Sequence, residues 1–286
     1  MNNLFDKALR ENYAIGQFNI STDVQLRAII ETAIELKSPV IIGASENERK
    51  FFGDAQLVAL VKSWENIYKY PIIINADHSK TFNSAKSAID AGFNAVHFDG
   101  SALEFKENIL ITTRVTKYAR ETNENIVVEG ELGYLRGGSN IHKEKTKILD
   151  GDLTKPVEAQ EFYQKTNIDN LAIVIGNIHG IEAKMKNPNL HINRLKEINS
   201  LLPNAKLVLH GGSGTPIEDI KMAINFGIVK ININTELRIA YSKALRKYLL
   251  NNPEEVKPYN ILAPTIEDTK DVVKKKINLF GSGNKI

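Results

Sequence analysis

The sequence predicts an α/β fold, a (β/α)8 (TIM) barrel with a C-terminal helical extension, as a single domain over residues 1–286. Three observations lead there. Short apolar runs alternate with longer amphipathic segments from end to end, the pattern of strands each followed by a helix. The runs are apolar through most of their length, which marks strands covered on both faces in a parallel sheet. The segments also make eight strand-helix pairs in 286 residues, and a closed barrel needs eight in a chain of about 250 or more. A doubly wound open sheet is the alternative, but no Gly-x-Gly-x-x-Gly follows the first run. No linker or shift in composition marks a second domain.

In order, Ala14–Phe18 precedes a helical pattern over Asp23–Leu36, and Pro39–Ile42 precedes one over Asp54–Ile67. Pro71–Ile74 is followed by Ser84–Ala91, and Ala95–Phe98 by Phe105–Arg120. After Ile126–Val128 the chain makes a long, polar, Lys-rich excursion, Gly133–Lys155, before the helix Pro156–Lys165. A loop that long in a compact domain is usually functional or mobile. Leu171–Ile175, Lys206–Leu209 and Val229–Ile233 precede helices near Ile192–Ile198, Ile217–Phe226 and Glu236–Leu250. Beyond Pro253, Pro258 and Pro264 a last helical stretch, Ile266–Ile277, forms the extension.

Composition narrows the function. The 37 basic residues nearly balance the 34 acidic ones and are interspersed with them, which argues against nucleic-acid binding. The Lys274–Lys276 cluster reads as a solvated helix face. With no cysteine, disulfides, thiolate nucleophiles and Cys-ligated zinc are excluded, so any metal must be held by His, Asp or Glu. No signal-like segment opens the chain and no apolar run approaches the ~18 residues of a membrane span. A cytoplasmic protein with no membrane association is expected.

A barrel carries its site where its strands end. Polar residues gather there: Asn19, Ser45, Asp77-His78, Asp99, Glu129, Glu131, His179, His210, Asn232 and Asn234. Each has a plain reading, Asp77-His78 as a turn cap beside a surface imidazole and His179 as a satisfied core histidine. Together, His78, His179 and His210 also suit the tris-imidazole set that holds catalytic zinc with an open fourth position. Asp99 and Glu131 then orient the imidazoles, serve as secondary ligands, or form a strand-end ion pair. Gly211-Gly212-Ser213 before a helix start is a tight turn or a phosphate cradle. Asn232-Ile233-Asn234-Thr235 repeats the choice at the end of the last strand, where Thr235 could serve as an N-cap. His97, His142 and His191 read as structural or solvent-exposed.

The residues Asp77-His78, Phe98-Asp-Gly-Ser101, Val128-Glu-Gly-Glu-Leu-Gly133, Gly176-Asn-Ile-His-Gly180, Leu209-His-Gly-Gly-Ser213 and Lys230-Ile-Asn-Ile-Asn-Thr-Glu236 occur in one order. In that order the chain resembles the class II, metal-dependent fructose-bisphosphate aldolases, from Phe18-Asn19 to Phe280-Gly-Ser282. The resemblance implies a lyase that cleaves fructose 1,6-bisphosphate to dihydroxyacetone phosphate and glyceraldehyde 3-phosphate, with Zn²⁺ or another divalent metal. It makes His78, His179 and His210 the ligands and Asp77 the proton donor and acceptor at the C4 oxygen. It places Asn232 near the substrate carbonyl, and Gly180, Gly211–Ser213 and Asn232–Thr235 (Ile233 among them) against dihydroxyacetone phosphate. Asn19 and Ser45 would line the pocket, and a homo-oligomer, dimer or tetramer, is implied. One stretch departs from the pattern. Many members carry Gly-Gly and then Glu-Asp after Glu-Leu-Gly, a source of the base acting on dihydroxyacetone phosphate. Here Ser139-Asn140 stands in that place, so that Glu144 or another group would take the role. Two alternatives stay open: an aldolase for tagatose 1,6-bisphosphate or another dihydroxyacetone-phosphate adduct, and a metal- and phosphosugar-binding barrel with little catalysis.

Overall fold

The computed structural model describes residues 2–183 and 187–286. Among them are ten strands: β1 (Ile15–Asn19), β2 (Val40–Ser45), β3 (Ile73–Ser79), β4 (Ala95–Phe98), β5 (Val127–Leu132), β6 (Gly137–His142), β7 (Asn170–Ile173), β8 (His179–Glu182), β9 (Lys206–Leu209) and β10 (Ile228–Ile233). All but β6 and β8 close a parallel barrel in the order β1-β10-β9-β7-β5-β4-β3-β2. The eight-unit reading of the sequence therefore holds. The helices are α1 (Asn2–Glu11), α2 (Asp23–Glu35), α3 (Glu46–Phe52), α4 (Asp54–Tyr68), α5 (Phe82–Ala91), α6 (Phe105–Thr122), α7 (Pro156–Thr166), α8 (Ile192–Leu201), α9 (Ile217–Asn225), α10 (Thr235–Asn251) and α11 (Pro258–Phe280).

Helix α2 illustrates how the outer ring forms. Thr22 caps it by accepting from the Gln25 N–H, and Leu26, Ile29, Ile30 and Ala33 recur at helical spacing and are fully buried. Each buried aliphatic side chain contributes about 1.5–3 kcal/mol, which is what holds a helix of 13 residues against the barrel.

The fold differs from the sequence reading at four places. Helix α1 lies outside the eight units read from the sequence; its Leu4, Phe5, Ala8 and Leu9 recur at helical spacing, and Phe5 and Ala8 pack with Tyr13, Ile15, Ile41, Ile73, Ala95, Val127 and Val229 in the cluster closing one end of the barrel. Helix α3 is a single short piece between β2 and α4. Gly133–Lys155 is not structureless, since β6 lies parallel to β8 in a two-stranded sheet. That pairing joins segments about forty residues apart and leaves no local alternation to read. Finally, α11 starts at Pro258 and continues through Pro264; a proline in the first turn sacrifices no hydrogen bond, so the first of these two prolines opens the helix.

The C-terminus returns to the start of the barrel. Ala14 N–H donates to Phe280 O at 3.0 Å, Asn284 N–H to Leu36 O at 2.9 Å, and the Ser38 and Ser282 hydroxyls meet at 2.9 Å.

Candidate active site

The barrel interior is polar toward the site. Asn75 Nδ2 donates to Gln17 Oε1 (2.9 Å), and Gln17 Nε2 to Asn19 Oδ1 (3.0 Å). Asn19 Nδ2 reaches Asp77 Oδ2 (2.9 Å) and Glu48 Oε2 (3.1 Å). Gly43 makes this possible: a Cβ there would lie 2.4 Å from Asn19 Oδ1. Deeper in, Lys230 Nζ donates to Glu129 Oε2 at 2.7 Å, with both residues about 2% exposed. Burial opposes the charge on Glu129, but Lys230 first and then His210 hold its carboxyl well below the usual range. Neither charge is left uncompensated, as burial at this depth demands.

Above this layer stand the histidines. Ring centroids of His78 lie 4.7 Å from His210 and 4.9 Å from His179, and His179 and His210 are 6.5 Å apart. Asp99 Oδ2 holds His78 Nδ1 at 2.9 Å, leaving Nε2 free of it. Glu129 Oε1 holds His210 Nε2 at 2.8 Å, leaving Nδ1 on the side of Asn232, 3.0 Å away. Carboxylates that fix ring orientation in this way are the usual companions of metal-ligating imidazoles. Burial, and then the neighbouring His78 and His210, hold His179 well below the ordinary histidine range; burial and His97 also lower His210. Both rings are therefore neutral with a lone pair to give. On His78 burial is outweighed by Asp77 and Asp99, which raise its proton affinity. Asp77 is fixed as a carboxylate, its burial outweighed by His78, His97 and His210.

Two groups among the described residues, Asp77/His78/His97/His210 and His78/Asp99/Glu131, have ligand atoms all within 4.8 Å of one another. The buried Oδ1 of Asn232 lacks a hydrogen-bond partner. Neutral nitrogens on His179 and His210, the carboxylate-held ring of His78 and the unpartnered oxygen of Asn232 fit a divalent cation, with His179 lying outside both of these groups.

Of the two readings the sequence left for His97, structural or solvent-exposed, the first holds: it is fully buried in β4, its ring 4.6 Å from that of His78. The β3/β4 register shifts between Ala76 and Ser79, and His78 sits within that bulge at φ +50°. The bulge takes the His78 N–H out of the ladder, and His97 Nδ1 accepts it at 3.1 Å. His97 Nε2 lies 3.0 Å from Glu131 Oε2. Burial disfavours a charged His97, while Asp77 and Glu131 pull the other way and raise its proton affinity. That pull competes with the His78 N–H for Nδ1; the peptide hydrogen bond keeps Nδ1 an acceptor and the ring proton on Nε2. Within an apolar run, one histidine gives no sign of such a role.

A cavity of about 280 Å³ opens over these groups. Asn19, Ser45, Asp77, His78, His179, Gly180, His210, Gly211, Ser213, Asn232, Asn234 and Thr235 line it, as do Asn47, Ser139, Asn140 and Arg238. Gly212 and Ile233 do not; the Ile233 side chain is buried in the barrel core. Gly180 and Gly211 have φ of +92° and +66°, open to glycine at little cost. A Cβ on Gly211 would lie 2.1 Å from Ile178 O. Asp99 and Glu131 border an adjoining pocket that shares Ser45, Asn47, His78 and His179. Glu144 is exposed and borders neither pocket. Of the residues that sequence reasoning missed, Glu48 alone left a signal, the Ser45-x-x-Glu48 spacing of a capping box.

Fold and site together define a (β/α)8-barrel protein with a histidine-rich centre at the ends of its strands. The family model for class II fructose-bisphosphate aldolase matches residues 1–285. A Staphylococcus aureus fructose-bisphosphate aldolase is 38% identical over 291 residues, covering 100% of this chain and 98% of the relative. A probable fructose-bisphosphate aldolase of Bacillus subtilis is 38% identical over 288 residues, covering 99% and 98%. Among solved structures, the YdjI aldolase of Escherichia coli K12 superposes with a TM-score of 0.82 at 30% identity, covering 100% of this chain and 98% of the other. A putative fructose-1,6-bisphosphate aldolase of Coccidioides immitis gives 0.87 at 26% identity, covering 99% and 96%. The chain belongs to the class II fructose-bisphosphate aldolase family, whose members are metal-dependent lyases acting on phosphorylated ketoses.

Proposed function

We propose that this protein is a zinc-dependent aldolase that reversibly cleaves fructose 1,6-bisphosphate to dihydroxyacetone phosphate and glyceraldehyde 3-phosphate, serving glycolysis and gluconeogenesis in the cytoplasm as a homodimer or homotetramer. The observation that carries this reading is one cavity lined by Asp77 and three imidazoles together with Gly180, Gly211, Ser213 and Thr235. The names of the Staphylococcus aureus and Bacillus subtilis relatives support it.

His78, His179 and His210 would hold the ion, with Asp99 and Glu131 as secondary ligands or orienting groups. Bound there, Zn²⁺ supplies Lewis-acid stabilisation of the negative charge that develops on the ketose oxygens as the C3–C4 bond breaks. Asp77 takes the proton of the C4 hydroxyl in cleavage and returns it in condensation. Asn19 and Asn232 donate to its two oxygens at 2.9 and 3.2 Å, aiming the carboxylate. Gly180, Gly211, Ser213, Asn232, Asn234 and Thr235, the members of these two runs that line the cavity, receive the triose-phosphate end, so that binding energy far from the breaking bond orients the reacting carbons. The carboxylates bordering the cavity and its adjoining pocket, among the described residues, are Asp77, Asp99 and Glu131, with Glu46 at the edge. Proton removal from dihydroxyacetone phosphate falls to a carboxylate of this group, since Glu144 stands outside.

The test is metal analysis of the purified protein beside cleavage assays on fructose and tagatose 1,6-bisphosphates. Roughly one zinc per chain, loss of cleavage in chelator and faster turnover of the fructose isomer are expected. Faster turnover of the tagatose isomer reassigns the substrate, and cleavage that persists in chelator overturns the metal role. Ser139-Asn140 in place of a loop carboxylate favours a second reading, a barrel that binds triose phosphate with little cleavage. Tight binding without carbon–carbon cleavage would establish that reading instead.

A further inference from the structure

Glu48 is 4% exposed at the third position of the short helix α3, and both its oxygens are fully engaged. Oε2 accepts from Ser45 N–H (2.8 Å), Ser45 Oγ (2.8 Å) and Asn19 Nδ2 (3.1 Å). Oε1 accepts from Arg238 Nη2 (2.7 Å) and Asn234 Nδ2 (3.3 Å). Of these, the Ser45 N–H contact is the one that belongs to helix capping. The others reach the ends of β1, β2 and β10 and the first turn of α10. Ser45, Asn19, Asn234 and Arg238 all border the cavity. Arg238 extends the connection, because its Nη1 donates to Ser139 O at 3.0 Å on β6.

We propose that Glu48 is a positioning residue: its carboxylate fixes Asn19, Ser45 and Asn234 on the substrate wall and, through Arg238, latches β6 over the cavity. Four of its five bonds come from N–H groups, so a neutral amide cannot replace it. Whichever way a glutamine side chain turned at this position, its NH2 would face a donor. The latch gives the departure in the loop a physical meaning. Where an acidic pair is absent, Ser139 and Asn140 are held against the cavity as part of its wall.

The kinetic arm of the test rests on the proposed aldolase activity; the exchange arm does not. Glu48→Gln in the full-length protein should bind zinc with the wild-type stoichiometry and raise KM for fructose 1,6-bisphosphate about tenfold or more, with a smaller fall in kcat. Hydrogen exchange of the amides of residues 137–142 should accelerate about tenfold, and Arg238→Met should reproduce that acceleration. Unchanged KM and unchanged exchange in Glu48→Gln would overturn the proposal. So would a loss confined to kcat, which would place the carboxylate in proton transfer. Should Glu48→Gln fail to fold, Arg238→Met decides, and unchanged exchange in residues 137–142 would overturn the latch. If the wild type cleaves no ketose bisphosphate, the aldolase reading fails, while the exchange comparison still decides the latch.

Discussion

At the scale of single residues, the site depends on side chains that keep others in place. Asp77 is ionised and doubly donated to, so Asp77→Ala should retain zinc and lose cleavage by about 10²-fold or more, the scale of acid–base catalysis; single-turnover assays with metal analysis check this. His97 gives the displaced His78 N–H its partner. His97→Leu would orphan that N–H and release Glu131, and zinc affinity should fall about 10- to 100-fold, as for other groups that orient metal ligands. Chelator competition measures it, and wild-type affinity would remove His97 from this role. His179 supplies a pH signature. Its proton affinity in the folded state is depressed by burial and by His78 and His210, below the unfolded value of about 6.5. Its stability contribution is therefore present above about pH 6.5 and is lost as the pH falls toward the depressed value. Melting of the metal-free protein between about pH 7.5 and 5 should show a decline that His179→Leu lessens; an equal decline in both would count against it.

At the scale of elements, close backbone approach builds the cavity. Gly211, after β9, lies at φ +66° with Ile178 O where a Cβ would go. Gly211→Ala meets a left-handed conformation and a backbone atom at once, and backbone strain of that kind costs on the order of 1–3 kcal/mol. Urea denaturation should show at least that loss. The pairing of β6 with β8 works with the Arg238 contact to hold Ser139 and Asn140 on the wall. It is aided by His142 Nε2, 2.7 Å from His179 O. The segment read as a loop thus braces the strand that carries His179.

At the scale of the molecule, the C-terminal extension closes the structure. Phe280 is 1% exposed at the end of α11 and accepts the Ala14 N–H beside β1. Phe280→Ala should cost about 3–5 kcal/mol, the usual range for a buried phenylalanine, and lower the urea midpoint; a loss below about 1 kcal/mol would show that the extension does not brace the barrel.

The eight strand-helix units were legible because parallel barrel strands are apolar throughout and their helices repeat every few residues, both local patterns. The glycines after His179 and His210, and the polar residues closing each strand, were legible for a related reason: a barrel puts its chemistry at one defined edge, so position along each unit already implies convergence. Convergence itself was decided only by the closed barrel. It brought Glu129, His97 and Lys230 beneath the imidazoles, tied Glu48 to Arg238 across the mouth, laid Ser139-Asn140 on the wall and left Glu144 outside. Those contacts join residues tens to hundreds of positions apart, and no local period in a sequence records a hydrogen bond made across the inside of a barrel.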